Sequence, residues 1–145
     1  IHPDAKFGSR LVSRLMNIVM QRGKHSLAQR IVYGAFEQME EKQGGHAVEI
    51  LERAVENIKP RLEVKSRRGG GATYQVPLEV NPRRQIALAV RWLIQFAINR
   101  KGVPMRRALA IEMMDAYRGQ GNAIKKRDDT HKMAQANKAF AHYRW

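Results

Sequence analysis

Cysteine is absent from this 145-residue chain. That removes disulfide staples, thiolate metal sites and a cysteine nucleophile at once, and it suits the cytosol or an equivalent reducing compartment. Long apolar runs are also missing; none approaches the roughly 18 residues that span a bilayer. No secretory leader pattern opens the chain. It begins at Ile1 rather than Met, so a short N-terminal piece is expected to precede it. Enzyme signatures are lacking too: there is no phosphate-binding loop and no paired-histidine metalloprotease motif. The histidines, His2, His25, His46, His131 and His142, scatter over expected loops and solvent faces rather than forming a ligand set. No catalytic residue, metal, cofactor or small-molecule substrate is indicated.

Acids are the scarcest class of charge. There are 13 Asp and Glu against 27 Lys and Arg, a net charge of +14 and a pI near 10.8. Such an excess predicts a polyanionic partner, with nucleic acid ahead of an anionic membrane surface. The charge is uneven. Residues 1–60 are nearly balanced, and Glu37, Glu40, Glu41, Glu49, Glu52 and Glu56 make 30–59 net negative. Residues 61–145 carry most of the excess. One solvated face and one phosphate-facing surface are therefore expected.

Apolar spacing predicts helices first. Leu11, Val12, Leu15, Met16 and Val19 mark one, closed by Gly23. Ala28, Ile31, Val32, Ala35, Phe36 and Met39 mark a second, with Ser26 as N-cap. Val48, Leu51, Ala54, Val55 and Ile58 mark a third, from about His46 to Ile58 and ended by Pro60. The period then shortens to two. Leu62 and Val64 precede three glycines; Val76, Leu78 and Val80 follow them. Pairing about Gly70 sets Leu62 opposite Leu78 and Val64 opposite Val76, giving one apolar face with Pro77 turned out of the ladder.

Three further helices follow. Asn81 and Pro82 are good cap and first-turn residues for a long helix with Ile86, Ala89, Val90, Leu93, Phe96 and Ala97 inward and Trp92 packed beside them. Another runs from near Pro104 to near Gly119, and the last from about Ile124 to Phe140. Asp128 and Asp129 read as first-turn acids favoured by the helix dipole. The seven methionines fall mostly on apolar stripes and read as core. The fold class is mainly α: a single domain of six helices, with a two-stranded hairpin at about 61–80 between the third and fourth.

The cations form sets. Arg10 and Arg14 share the first helix, and Arg22 and Lys24 follow it. Lys65, Arg67 and Arg68 lead into Gly69, Gly70 and Gly71 at a hairpin tip where nothing is left to bury. Arg83 and Arg84 open the long helix, and Arg106, Arg107, Lys125, Lys126 and Arg127 flank the last two. Arginine's planar fork suits phosphate and stacks on bases. At the end of the chain, Tyr143, Arg144 and Trp145 could stack on a base or a protein partner. Charge and ribbon alone leave an architectural DNA-binding protein open, although the GGG tip lacks the apolar wedge such proteins insert. An enzyme acting on RNA stays open as well, with no acid or histidine nominated for it.

Several stretches resemble bacterial-type small-subunit ribosomal protein seven: PDAKFGSRLV, QRGKHSLAQRIVY, VKSRRGGGATYQVP, RRQIALAVRWL and KKRDDTHKMAQANKAFAHYRW. The resemblance covers Pro3 to Trp145. It implies a six-helix bundle with an extended hairpin arm, binding of the 3′ major domain of small-subunit ribosomal RNA, and nucleation of head assembly. By position it places Arg10, Arg14, Arg22, Lys24, Arg83, Arg84, Lys125 and Lys126 toward that RNA. It places Lys65, Arg67, Arg68, Gly69, Gly70 and Gly71 in an arm beside exit-site transfer RNA and the messenger path. Small-subunit proteins nine and eleven are implied neighbours, the latter at the C-terminal part, Tyr143, Arg144 and Trp145. The implied setting is a cytoplasmic small subunit or an organellar ribosome, and some members repress their own messenger. Two departures are visible: the family's basic N-terminal extension is not in this chain, and Gly69 stands where valine is usual, which should loosen the tip.

Overall fold

The computed structural model describes residues 1–20 and 23–143. Helix α1 spans Arg10–Val19, with Ser9 Oγ accepting from the Val12 N–H at 3.2 Å. Helices α2 (His25–Gln43) and α3 (Ala47–Ile58) follow, then strands β1 (Leu62–Gly69) and β2 (Ala72–Glu79). Helices α4 (Pro82–Ile98), α5 (Met105–Tyr117) and α6 (Asn122–Ala136) complete the bundle, and a 3₁₀ segment, Lys138–Tyr143, follows. The expected count and order of helices, with the hairpin between the third and fourth, hold.

Each boundary has a local cause. At α4, Asn81 Oδ1 accepts from the Arg84 N–H at 2.9 Å and Pro82 opens the first turn, as the sequence predicts. At α2 the expectation fails: Lys24 holds the cap position, and Ser26 lies inside the helix without a capping bond. Helix α3 borrows its cap, since Glu40 Oε2 on α2 accepts from the Ala47 N–H at 3.0 Å. Val48 is only half-buried, while Ala47 and Ile50 are buried instead.

Helix α5 is the centre of the bundle and packs against α2, α3, α4 and α6. It buries Ala108, Leu109, Ala110, Met113, Met114 and Ala116, so it is covered nearly all round. Glu112 also sits there at 1% exposure, reached by Arg100 Nε at 2.5 Å. Trp92 is buried, as expected. Near the N terminus, Asp4 accepts from the backbone N–H groups of Lys6, Phe7 and Ser9 and from the Tyr33 hydroxyl. Burial pushes its carboxyl up, but those four donors outweigh it and hold it below the ordinary range.

The hairpin departs most from expectation. Leu62 pairs with Glu79, Glu63 with Leu78, Val64 with Pro77 and Lys65 with Val76, a shift of one residue. The cause is the turn. Gly70 (φ 59) and Gly71 (φ 82) are both left-handed, so the loop has two central residues rather than a single pivot at Gly70. A one-residue shift redistributes every side chain between faces. Val76 now shares a face with Lys65, and Pro77 is buried opposite Val64. Both faces are tolerated at the root because α6 packs on β1 and the 3₁₀ segment packs on β2.

Candidate nucleic-acid interface

The α helices supply cations at places where helices ordinarily prefer acids. Arg10 opens α1, Arg83 and Arg84 fall in the first turn of α4, and Arg106 and Arg107 follow the first residue of α5. None of these first turns contains an acid. A helix start already presents unpaired N–H groups and a partial positive charge. Added cations cost each helix a few tenths of a kcal/mol unless an anion arrives. Arg10 and Arg83 are exposed, and neither has a side-chain partner among the described residues.

The predicted residues separate into free and engaged groups. Arg10, Lys24, Lys65, Arg68, Arg83 and Lys126 are exposed; Arg14 is half-buried. Lys125 stands 3.9 Å from Asp129 in an exposed pair of little strength. Arg84 is engaged: its Nε lies 2.7 Å from Glu63 Oε2 and its second fork nitrogen 3.0 Å from Oε1. This bidentate bond pulls the Glu63 carboxyl below its usual range and raises Arg84. It ties the start of α4 to the root of β1. Arg22, Arg144 and Trp145 lie outside the described residues, as does the side chain of Tyr143.

The arm's two arginines are not equivalent. Arg68 is exposed opposite Thr73. Arg67 is half-buried opposite Tyr74, and its Nε is enclosed without a hydrogen-bond partner among the described residues. The Tyr74 ring meets Phe140 of the 3₁₀ segment, centroids 5.4 Å apart at 46°. Burial therefore reaches further toward the tip than alternation alone suggests. At the tip itself, Gly70 and Gly71 have nothing within 4 Å of where a Cβ would stand. Gly69 is an ordinary strand residue paired with Ala72.

Two residues of this surface escape sequence reasoning. His131 Nε2 accepts from the Arg61 N–H at 2.9 Å, which locks the hairpin root to α6. That bond needs an unprotonated Nε2. Burial, then the charges of Arg127 and Arg61, push His131 below its ordinary value, against a smaller pull from Asp128. Helix α6 begins at Asn122, so Asp128 and Asp129 lie mid-helix and are not first-turn acids. Asp128 instead receives Arg127 at 2.7 Å, and Arg127 also donates to the Asn57 carbonyl on α3. Phe140 is the other missed residue, because an aromatic in a short 3₁₀ segment carries no periodic signal.

Among the described residues, no helix is long and apolar enough to cross a membrane, and no group of His, Cys, Asp and Glu could hold a metal. What remains is a cationic surface spread over connected elements: α4 packs against both α1 and α6, and the hairpin runs into its start.

A small, basic, mainly helical domain with a ribbon arm is a nucleic-acid-binding architecture. The comparison with known families narrows this. The family described as Ribosomal protein S7p/S5e matches residues 1–138. The chain is 55% identical over 143 residues to small ribosomal subunit protein uS7 of Thermodesulfovibrio yellowstonii, covering 99% of this chain and 92% of that one. It is 57% identical over 145 residues to uS7 of Thermomicrobium roseum, covering 100% and 93%. To uS7 of Mycolicibacterium vanbaalenii it is 58% identical over 142 residues, covering 98% and 91%. The chain belongs to the ribosomal protein S7p/S5e family. Its setting is the small ribosomal subunit, and its family is one of structural ribosomal proteins rather than enzymes.

Proposed function

We propose that this chain binds the 3′ major, or head, domain of small-subunit ribosomal RNA and nucleates assembly of the head. The arm then reaches exit-site transfer RNA and the messenger path. The observation that carries the RNA-binding reading is the pair of uncompensated helix starts. Arg10 and Arg83 stand exposed where the backbone already favours an anion, with no acid in either first turn. A phosphate backbone supplies that anion at both. Arg14, Lys24, Lys125 and Lys126 extend the contact, with Arg22 among the candidates. Arg84 acts by setting the angle of β1 against α4. Lys65 and Arg68 project from the arm toward transfer and messenger RNA, Gly69, Gly70 and Gly71 forming its narrow end. Tyr143, Arg144 and Trp145 are the proposed contact for small-subunit protein eleven, with protein nine a further neighbour.

The deciding experiment is competition between head-domain RNA and duplex DNA at matched salt. Preference for the RNA is expected; equal affinity for duplex DNA sinks the reading in favour of an architectural DNA binder. Replacing Arg10 and Arg83 with Ala should flatten the dependence of log affinity on log salt by about 2. Replacing Arg67 and Arg68 with Ala should weaken exit-site and messenger contacts more than binding to isolated head-domain RNA. Loss of head-domain binding in that double variant would refute the division between body and arm.

A further inference from the structure

An apolar groove of about 400 Å³ lies away from the hairpin, between α2, α4 and the loop before α5. Leu27, Ile31, Ile94, Ile98, Val103 and Met105 line it. Two of these are unusually open for large aliphatic side chains: Leu27 at 43% and Ile98 at 55% exposure. The groove continues past Leu27, Ile31 and Met105 into a second hollow walled by Arg30 and Arg106. Lys24 stands at the first hollow. Among the described residues that line these two hollows, every charged one is a cation and none is aromatic.

Those two facts separate the possible occupants. RNA would be held by the cations, but its bases stack on aromatic rings, and this floor offers only aliphatic side chains. A contiguous aliphatic strip rimmed by charge marks a protein-docking surface. A cation-only rim selects an acidic partner. A second copy of this chain fits poorly. It carries +14 overall, and its most acidic helix, α3, has already buried Ala47, Ile50, Leu51, Ala54, Val55 and Ile58.

We propose that this groove docks an acidic amphipathic helix of another protein, aliphatic residues on the floor and carboxylates against Lys24, Arg30 and Arg106. Lys24 belongs to the proposed RNA-facing set, and Arg106 to the helix-start cations described above. The site therefore adjoins the proposed RNA surface without depending on it.

The probe is a labelled synthetic helix of about 16 residues, with leucines at i, i+3, i+4 and i+7 and glutamates elsewhere. Its binding to the full chain is read by anisotropy and by methyl shifts of Leu27, Ile31, Ile98, Val103 and Met105. It should bind about tenfold tighter than a scrambled peptide of the same composition and lose about tenfold on Leu27→Ser or Ile98→Ser. Both variants change exposed positions, and methyl shifts on the unaltered chain give the same answer should either fail to fold. Equal binding of the scrambled peptide, or binding indifferent to both substitutions, overturns the proposal. So does movement of the same methyls by head-domain RNA alone, which assigns the groove to RNA. Self-association abolished by Ile98→Ser likewise overturns it, in favour of a second copy. The head-domain reading is tested separately, since RNA affinity of the two variants should match the parent.

Discussion

The root and the tip of the hairpin are made from the same two strands, yet they are held in opposite ways. At the root, Val76 and Val80 are buried, Glu63 grips Arg84 through two hydrogen bonds, and the Arg61 N–H is bonded to His131. At the tip, Gly70 and Gly71 face open space and Arg68 is exposed. Arg67 and Tyr74 mark the transition, where the last aromatic contact with Phe140 is made. The difference teaches that aim and contact are separate tasks in this arm. Packing, a charged fork and a histidine acceptor set its direction, while turn chemistry and unpaired charge form the end that meets a ligand.

The contrast can be broken most forcefully at the root. Val76→Ala removes a fully buried side chain and should cost about 2 kcal/mol in denaturant unfolding. Gly71→Val puts a β-branched residue at φ 82 and should cost about 1–2 kcal/mol, with the loss confined to amide exchange near the tip. Glu63→Gln keeps the shape but loses the charge. Because Arg84 is 43% exposed, a loss of only about 1 kcal/mol is expected, with faster amide exchange along β1 and unchanged exchange in α5.

Acidification probes the same root more gently. The folded state holds His131 below its ordinary value of 6.5, so its contribution is complete above that pH and is lost as pH falls through the lower folded value. Arg127, Arg61, Lys59, Glu56 and Asp128 line the same hollow as His131, and the Asp128 carboxylate partly offsets the effect. Protection of the Arg61 and Leu62 amides, measured against the intrinsic exchange rate at each pH, should fall below pH 6.5, and His131→Asn should flatten that dependence. The smallest effect is expected at Gly69→Val, since Gly69 is not among the left-handed glycines. A change within about 0.5 kcal/mol, with slightly slower exchange at the strand end, is anticipated.

Much of the body was legible because helices announce themselves locally. The stripe Ala28, Val32, Ala35, Phe36 and Met39 is buried as its spacing demands, and Asn81 with Pro82 starts α4 as cap chemistry requires. The hairpin was legible as an element but not in register. Three glycines permit several turns, and only the backbone angles of Gly70 and Gly71 select the two-residue one. Charge showed that a polyanion surface exists, but it did not show which arginines are already engaged. The Arg84–Glu63 fork and the Arg61–His131 bond join residues far apart in the chain, and such pairs leave no periodic trace. Phe140 was hidden for the same reason, its partner Tyr74 being in the hairpin.

The lock on the arm also has a schedule. His131 follows Arg61 by 70 residues, and Phe140 lies further on still. At a synthesis rate of roughly 10 residues per second, the hairpin, complete at Glu79, would be finished about five seconds before its latch emerges. A newborn arm would swing on the bundle's first three helices during that interval. It would take its final bearing only when the last segments of the chain fold back beneath it.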